Sequence, residues 1–513
     1  MKSLFKTVAL ITIFSFLTRI LGFLFRIILS RVVGPEGVGL YQVASSIFMV
    51  LLTIISSGLP LIISRMSATY LANKEKNKES SMISVALIFA LIMSIVLSLI
   101  VILFKNLFAN FFTDRRCVEI LIVLLPSLIF SSVYCVLRGA MWGRGNYFAL
   151  CVTELYEQVV RILLCLLVIS PTFSALDNAL SMGWTMSIAC LFSMILVVLL
   201  YFYYGGKISK PQKKYLSPLI KQSTPITFMR MAGSFLQPLI AFIIPARLVS
   251  IGYTNSQAMS LYGVAMGMTM PLLFIPSTII GSLSTALVPD ISTAVAQNNQ
   301  KHIEERINSS MFFALVISCL FVPIFLGMGE QMGIFLYDNI MSGTLLQAGS
   351  WVLIPLGLTN ITSALLNSLG LEHKSFINFV AGAVGMFLAL WFLPNLIGVN
   401  SLVFGMGINY LIVAILNIIL IKRKTKININ FSKMIFKMIL LIIPSGALTA
   451  FTVSLCEYVF PLFITLMIGG MVSVSSFILL SSVFNIVEIK NVFLVIQKKI
   501  KIPKIRLKKS KNM

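Results

Sequence analysis

The chain has 513 residues, of which 58% are apolar and only 11% are charged. An ordinary soluble domain carries about 25% charged residues, so this composition excludes a soluble protein and indicates one that spans a membrane. Seven widely spaced cysteines and two histidines do not supply the ligand spacings of a metal site or a redox pair. We therefore expect no metal and no cofactor.

Uncharged stretches recur along the whole chain, and each is long enough for a span of about 20 residues. They predict an all-α polytopic membrane protein with about fourteen spans and only short connections. The predicted spans lie near residues 8–33, 38–64, 80–104, 118–141, 147–170, 179–204, 222–247, 257–289, 308–329, 346–369, 375–397, 400–421, 434–456 and 461–487.

The net charge of +24 is distributed unevenly between the two sides of these spans. With the N-terminus in the cytoplasm, the N-terminal segment, the connections on that side and the C-terminal tail together carry 31 of the 40 lysines and arginines. This asymmetry is the positive-inside pattern, so no nucleic-acid partner is needed to explain the charge. We predict a multi-pass protein of the cell membrane with both termini cytoplasmic. The opposite face keeps Arg31, Lys105, Arg115, Arg116 and Arg247.

A short motif occurs twice, as Leu40-Tyr41-Gln42-Val43-Ala44 at the start of the second span and as Leu261-Tyr262-Gly263-Val264-Ala265 at the start of the eighth. Six spans per copy make two parallel repeats, related by a pseudo-two-fold axis along the membrane normal, with the ligand site between them. The predicted organisation is an N-lobe at 1–204, a basic cytoplasmic linker at 205–221, a C-lobe at 222–425, an extra pair of spans at 433–487 and a basic cytoplasmic tail at 488–513.

Prolines interrupt several predicted spans and free backbone groups that neighbouring helices or water must satisfy. Pro271 and Pro276 lie close together in the eighth span. They mark this span either as a bending helix in a transport cycle or as a helix with a static kink.

Four arginines lie inside predicted spans: Arg19, Arg26, Arg161 and Arg230. Each costs about 3 kcal/mol at the centre of a membrane helix, so it should face water or a partner. The planar guanidinium matches phosphate oxygens in two-point contacts, which makes these arginines candidate substrate-binding residues. The alternatives are helix-to-helix salt bridges or snorkelling to the interface. On the first helix one polar stripe contains Thr12, Ser15, Arg19, Gly22 and Arg26.

The fifth span carries Glu154, Glu157, Gln158 and Arg161. Glu157 and Arg161 are four residues apart, in the favourable order for an intrahelical ion pair, so this pair also has a structural interpretation. Glu154 has no such partner on its helix and is a candidate ion-coupling site, with Glu157 as a second. The four intramembrane arginines and two glutamates sum to +2, which favours an anionic cargo over a cationic drug.

Several segments resemble the multidrug/oligosaccharidyl-lipid/polysaccharide (MOP) flippase superfamily, and within it the stage V sporulation protein B-like, or polysaccharide biosynthesis protein, branch, which is related to the MurJ lipid II flippases. The likeness extends from residue 1 to about 490 and is most distinctive in the G-P-E-G-V-G-L-Y-Q and E-Q-x-x-R blocks. The segments are FLTRILGFLFRIILSRVVGPEGVGLYQVA, SSGLPLIISR, LRGAMWGRGN and ELYEQVVRI.

The resemblance implies fourteen helices, with two six-helix lobes around a central cavity that opens alternately to each side. It also implies a lipid-linked sugar diphosphate as cargo, and the expected cargo is the undecaprenyl-linked peptidoglycan precursor lipid II. In MurJ relatives, arginines of the first helix line the cavity, and Arg19 matches such a position; Arg26 lies one residue further along. The arginine that those relatives carry in the second helix has no counterpart here, since 37–64 is uncharged. The last two helices of those relatives form a groove for the lipid tail.

The sequence is also compatible with other functions. A cation-coupled multidrug antiporter of the same superfamily would use Glu154, although such carriers usually have twelve helices and acidic cavities. A membrane enzyme would need paired acids or an intramembrane histidine, and here the only adjacent acids are Glu304-Glu305, while His302 and His373 lie in short connections. A scaffold of envelope or spore-cortex assembly would tolerate loss of Arg19. We expect a non-enzymatic, monomeric carrier in contact with membrane lipids and, in the cell, with envelope-synthesis enzymes.

Overall fold

The computed structural model describes residues 2–297, 299–425 and 432–484, and every regular element in these ranges is helical. Helices satisfy their own backbone hydrogen bonds, which a chain in hydrocarbon requires. The predicted all-α membrane fold is confirmed. The predicted tail at 488–513 lies outside the described residues.

The helices follow one another with short connections. In chain order they are α1 (Lys2–Ser56), α2 (Leu59–Ala72), α3 (Lys76–Leu103), α4 (Lys105–Phe111), α5 (Arg116–Gly143), α6 (Tyr147–Val168), α7 (Ala175–Tyr203), α8 (Leu216–Ser234), α9 (Leu236–Ser250), α10 (Asn255–Gly263), α11 (Met270–Leu273), α12 (Ile275–Ala296), α13 (Gln300–Tyr337), α14 (Ile340–Gly349), α15 (Leu353–Ser368), α16 (Glu372–Phe392), α17 (Pro394–Ile397), α18 (Asn400–Thr425), α19 (Ser432–Glu457) and α20 (Leu462–Val483).

Twelve helical stretches in the described residues are long and apolar enough to cross a membrane. One of them, Ile11–Ala72, has 62 residues and, at about 1.5 Å per residue, is long enough for two spans. Helix α6, the predicted fifth span, is not among the twelve and carries three charged side chains, Glu154, Glu157 and Arg161. The count of fourteen spans stays a prediction.

Helix α1 bends sharply between the first and second predicted spans. Gly34 has φ +76° and ψ 168° inside the helix, and Pro35 follows it. Glycine adopts this left-handed backbone without a Cβ penalty, and proline removes an amide donor from the helical ladder. We call 2–33 the first arm and 35–56 the second arm of α1.

The predicted eighth span is irregular. Helix α10 passes into a π-helix, Val264–Thr269, and then into the four-residue helix α11 before α12 begins at Ile275. A π-helix is a rare element that often marks a functional position in a helix. The irregular stretch coincides with Pro271 and Pro276, where the sequence predicts a bend.

The chain forms two compact units. The first comprises Met1–Leu272, Leu336–Ser342 and Met386–Gly405. The second comprises Leu273–Phe335, Gly343–Gly385 and, as far as it is described, the chain from Met406 onward. The predicted lobes at 1–204 and 222–425, the linker at 205–221 and the pair at 433–487 stay predictions.

Helix α1 is the central element of the first unit. It packs against α5, α6 and α7, and also against α8, α9 and α10. In the second unit, α12 packs against α15 and α19 against α20. The first unit therefore contains all the arginines and acids that the sequence singles out as candidate site residues.

Candidate functional site

Arg19 and Arg26 lie on the first arm of α1, and both are exposed. At about 100° per residue, they lie roughly 20° apart around the helix axis. The exposed apolar residues of the same arm are centred about 125° away from the two arginines around the helix axis. The arginines therefore do not share the apolar face that suits contact with lipid. The exposed apolar residues of this arm include Ile13, Phe16, Leu17, Ile20 and Leu24.

The polar stripe of the first arm borders helix α6. A Cβ on Gly22, which lies between the two arginines in the stripe, would be 3.6 Å from Nε2 of Gln158. Gln158 is buried on α6. The absence of a side chain at Gly22 thus lets the stripe approach the polar face of α6.

Both glutamates of α6 have arginine partners. Arg161 Nη2 donates to Glu157 Oε1, one turn away on the same helix. The two side chains thus form an intrahelical ion pair. Arg138 Nη2, from α5, donates to Glu154 Oε1, and the Arg138 guanidinium lies 5.7 Å from the centroid of the Trp142 ring.

Glu154 has no partner on its own helix, and in the structure it pairs with Arg138 of α5. Its partner, Arg138, is sixteen residues earlier and lies on another helix, where an analysis of spacing within α6 does not detect it. The close turn between α5 and α6 places the two side chains together. The role of Glu154 and Glu157 in ion coupling stays a prediction.

The tyrosine of the first repeat motif packs against a buried apolar cluster formed by both arms of α1 together with α6 and α7. Tyr41 lies against the cluster of Leu29, Val33, Val38, Cys165 and Met182. Its side chain therefore has a packing role that the sequence, which shows it only as part of a repeat, does not reveal.

Arg230 lies on α8 and is exposed. One turn further along, Ser234 Oγ is 3.0 Å from Thr53 Oγ1 on the second arm of α1, and it also lies 3.1 Å from the backbone oxygen of Arg230, to which it donates. Arg230 is therefore on the side of α8 that contacts α1.

Within the described residues, Arg19, Arg26 and Arg230 take part in none of the ion pairs. The carboxylates of α6 are already engaged by Arg138 and Arg161. The charge of these three guanidinium groups is thus not balanced by the acids of the site, which leaves them able to receive an anion.

A buried ion pair that the sequence analysis missed joins the ends of α3 and α5. Glu79 is fully buried and accepts from Arg144 Nε and Nη2, each at 2.8 Å. Ser67 Oγ also donates to Glu79, and Tyr201 places its ring 5.0 Å from the Arg144 guanidinium. The feature of the sequence that indicates this pair is Glu79 itself, an acid at the start of a long apolar run.

At the predicted outer end, Arg116 forms ion pairs with Asp114 and with Glu36 of the G-P-E-G block, both at 2.7 Å. Arg31 Nε donates to the backbone oxygen of Leu336 at 2.8 Å. These two outer arginines thus bind partners within the protein.

The second arm of α1 and helix α10 contact each other backbone to backbone next to the two copies of the repeat motif. A Cβ on Gly39 would overlap the carbonyl oxygen of Met259, and a Cβ on Gly263 would overlap the carbonyl oxygen of Pro35. A Cβ on Gly267, in the π-helix, would overlap Val38. We call this contact the glycine crossing. It joins the predicted outer ends of the second and eighth spans.

Comparison with known proteins agrees with the resemblance noted in the sequence. The family described as "Polysaccharide biosynthesis protein" matches residues 4–295. Stage V sporulation protein B of Bacillus subtilis (strain 168) is 26% identical over 383 residues, which cover 72% of this chain and 73% of that protein.

Two solved structures have a similar fold. A structure of the lipid II flippase MurJ in an inward closed conformation has a TM-score of 0.68 at 15% identity, covering 93% of this chain and 98% of that one. An inward-facing multidrug resistance MATE family transporter of the MOP superfamily has a TM-score of 0.64 at 17% identity, covering 80% of this chain and 94% of that one.

The relatives are flippases and transporters rather than catalytic enzymes. This result agrees with the expectation that the chain is not an enzyme. The many apolar helices also make it a multi-pass membrane protein. The fold matches that of a MOP superfamily transporter, and the chain belongs to the polysaccharide biosynthesis protein family.

Proposed function

We propose that this protein is a flippase that moves a lipid-linked oligosaccharide from the cytoplasmic to the outer leaflet. The cargo is an undecaprenyl-diphosphate-linked envelope precursor, lipid II or a related glycolipid. The observation that carries the proposal is the charge balance of the site. Arg138 and Arg161 engage the two acids of α6, while Arg19, Arg26 and Arg230 are left to meet the diphosphate.

The chemistry of the cargo explains why such a site is needed. A diphosphate pays a large desolvation cost in hydrocarbon, and this cost prevents unaided crossing. Guanidinium groups offer charge-assisted, two-point hydrogen bonds that replace part of the lost hydration. The isoprenoid tail needs no such help because it is soluble in lipid, so it stays in the bilayer while the head group crosses.

The glycine crossing supports an alternating-access cycle. With the predicted topology, it closes the outer side while the site is loaded from the cytoplasm. Opening to the outside then requires α10 to part from the second arm of α1, and the π-helix at Val264–Thr269 and the break before Ile275 provide the place to bend.

The membrane potential favours the proposed direction. With the cell interior negative, outward movement of an anion gains about 2.3 kcal/mol per charge per 100 mV. The excess positive charge of the unloaded site is drawn back inward by the same field. No Walker-type G-x-x-x-x-G-K-[ST] loop occurs in the sequence, so nucleotide hydrolysis through such a loop does not provide the drive.

The test is flipping of fluorescent lipid II in proteoliposomes that contain Arg19→Gln. We expect the rate to fall at least tenfold, since one charge-assisted contact of about 1.5–3 kcal/mol is lost. Arg423→Gln is the matched control, because Arg423 is an exposed arginine at the end of α18, and it should flip at the wild-type rate. Wild-type flipping by Arg19→Gln at equal protein content would refute the assignment of the site.

Multidrug antiport is a second candidate, because the MATE transporter has a similar fold. Its ion site would be Glu154 or Glu157, which must first release Arg138 or Arg161. Uptake of a lipophilic cation into proteoliposomes, driven by a proton or sodium gradient and lost in Glu154→Gln, would favour this candidate. A scaffold of envelope or spore-cortex assembly, the remaining alternative, would keep its role in cells that express Arg19→Gln.

A further inference from the structure

A polar cleft outside the central site lies at the predicted outer end of the first unit. It has a volume of about 350 Å³ and is open to solvent. The connection between α9 and α10 forms one wall, and the segment around α17 forms the other. Ligand sites usually have volumes of about 300–1,000 Å³, so the cleft suits a head group rather than a whole glycolipid. Its walls are Ile251, Gly252, Tyr253, Pro394, Asn395 and Gly398.

Arg247, at the end of α9, lies beside this cleft. Its Nη2 donates to Asn395 Oδ1 at 3.1 Å, and its guanidinium lies 5.1 Å from the centroid of the Trp391 ring. Within the described residues no ion pair involves Arg247, and its buried Nε has no hydrogen-bond acceptor. The guanidinium is thus held in one orientation without being neutralised.

The side chains at the cleft supply donors for an anion. The side-chain oxygen of Asn395 accepts from Arg247, so its amide nitrogen is not used in that hydrogen bond. Tyr253 is exposed, and its hydroxyl lies close to Gly398. The backbone amides of Gly252, Tyr253 and Gly398 are already bonded to carbonyl groups. A ligand therefore meets side-chain donors and a positive charge, with no carboxylate among the residues of the walls.

The surroundings of the cleft are those of a membrane interface. Trp391 is 46% exposed, Phe392 64% and Leu396 84%, and Phe387 stacks on Trp391 with ring centroids 6.2 Å apart. Aromatic and basic side chains concentrate at the level of the lipid head groups. The apolar rim can contact acyl or isoprenoid chains while the polar cleft lies at the depth of lipid phosphates.

We propose that this cleft binds the phosphate of a membrane lipid in the outer leaflet, with Arg247 and Asn395 as the recognising residues. The phosphate belongs either to an anionic phospholipid or to the diphosphate of a polyprenyl-linked cargo after its release. In the second case the cleft is an exit site, and only that case rests on the proposed flippase function.

The experiment is native mass spectrometry of the detergent-purified full chain with added lipids. The probes are phosphatidylglycerol, undecaprenyl diphosphate and, as a phosphate-free control, monoglucosyl diacylglycerol. We expect phosphate lipids to be retained, and Arg247→Gln to lower their retention about tenfold, the loss of one charge-assisted contact. Asn395→Ala, at an exposed position with little risk to folding, should lower retention in the same direction. Stronger retention of phosphatidylglycerol identifies a phospholipid as the source of the bound phosphate, and stronger retention of undecaprenyl diphosphate identifies the released cargo.

Arg19→Gln separates this proposal from the flippase assignment. It should lower the flipping rate in proteoliposomes at least tenfold and leave the Arg247-dependent lipid retention unchanged. The outer site would be overturned if Arg247→Gln and Asn395→Ala retained each phosphate lipid as well as the wild type does. It would also be overturned if the wild type retained the phosphate-free glycolipid as well as the phosphate lipids. None of these outcomes alters the conclusion drawn from flipping by Arg19→Gln.

Discussion

Individual charged residues in this protein have different roles according to whether an opposite charge is within reach. Arg161, Arg138 and Arg144 each bind a glutamate, whereas Arg19 and Arg26 lie on an exposed flank of α1 away from its apolar face. The sequence identified the arginines that are costly in a bilayer. It did not identify the partners of Arg138 and Arg144, because each of these two pairs joins different helices.

The Glu79–Arg144 pair should make a large contribution to stability. Glu79→Gln leaves Arg144 without its buried carboxylate, and breaking such a pair costs about 3–5 kcal/mol. We expect a clear loss of thermal stability in detergent, measured by fluorescence-detected size exclusion after heating. The opposite result, an unchanged melting temperature, would mean that the pair is not formed.

Glu75→Gln is the matched control for this change. Glu75 lies four residues earlier and pairs with Lys78 near the surface, with side-chain exposures of 33% and 50%. Exposed pairs contribute about 0–1 kcal/mol, so the control should melt close to the wild type.

At the scale of the helices, most segments could be predicted from the sequence and their contacts could not. The apolar stretches, the break at Gly34-Pro35 and the irregular eighth span all follow from composition and from proline and glycine. The repeat motif was recognisable as a repeat. The contact between Gly39, just before the first copy, and Gly263, in the second, is decided by the approach of two distant helices rather than by either helix alone.

The glycine crossing should be sensitive to a single methyl group. Gly39→Ala or Gly263→Ala places a Cβ against a backbone carbonyl, so α10 and the second arm of α1 must separate. We expect a longer distance between spin labels at Thr172 and Ser256, measured by electron paramagnetic resonance, together with slower flipping.

Gly233→Ala in α8 and Gly281→Ala in α12 control for the effect that replacing a glycine by alanine has on a helix itself. A Cβ at either position meets nothing within 4 Å. Distance distributions identical to the wild type are expected for both. If Gly39→Ala also gave the wild-type distribution, the crossing would not limit the separation of the outer ends.

For the whole molecule, the charge asymmetry predicts which side faces the cytoplasm. The test uses Thr172→Cys, in the exposed connection between α6 and α7, and Lys213→Cys, in the exposed segment after α7. A membrane-impermeant maleimide added to intact cells should label only Thr172→Cys. The native cysteines are buried except Cys456, which is partly exposed, so Cys456→Ser is the background. Labelling of Lys213→Cys alone would invert the topology.

The sequence by itself determined that this chain is a helical membrane protein, because the apolar length of each segment is a local property that decides whether it can cross a bilayer. It also identified the arginines that are costly inside a membrane. Only the tertiary structure decided which charges are paired and that Gly39 contacts Gly263. Such contacts join residues far apart in the chain, and their geometry depends on how helices cross.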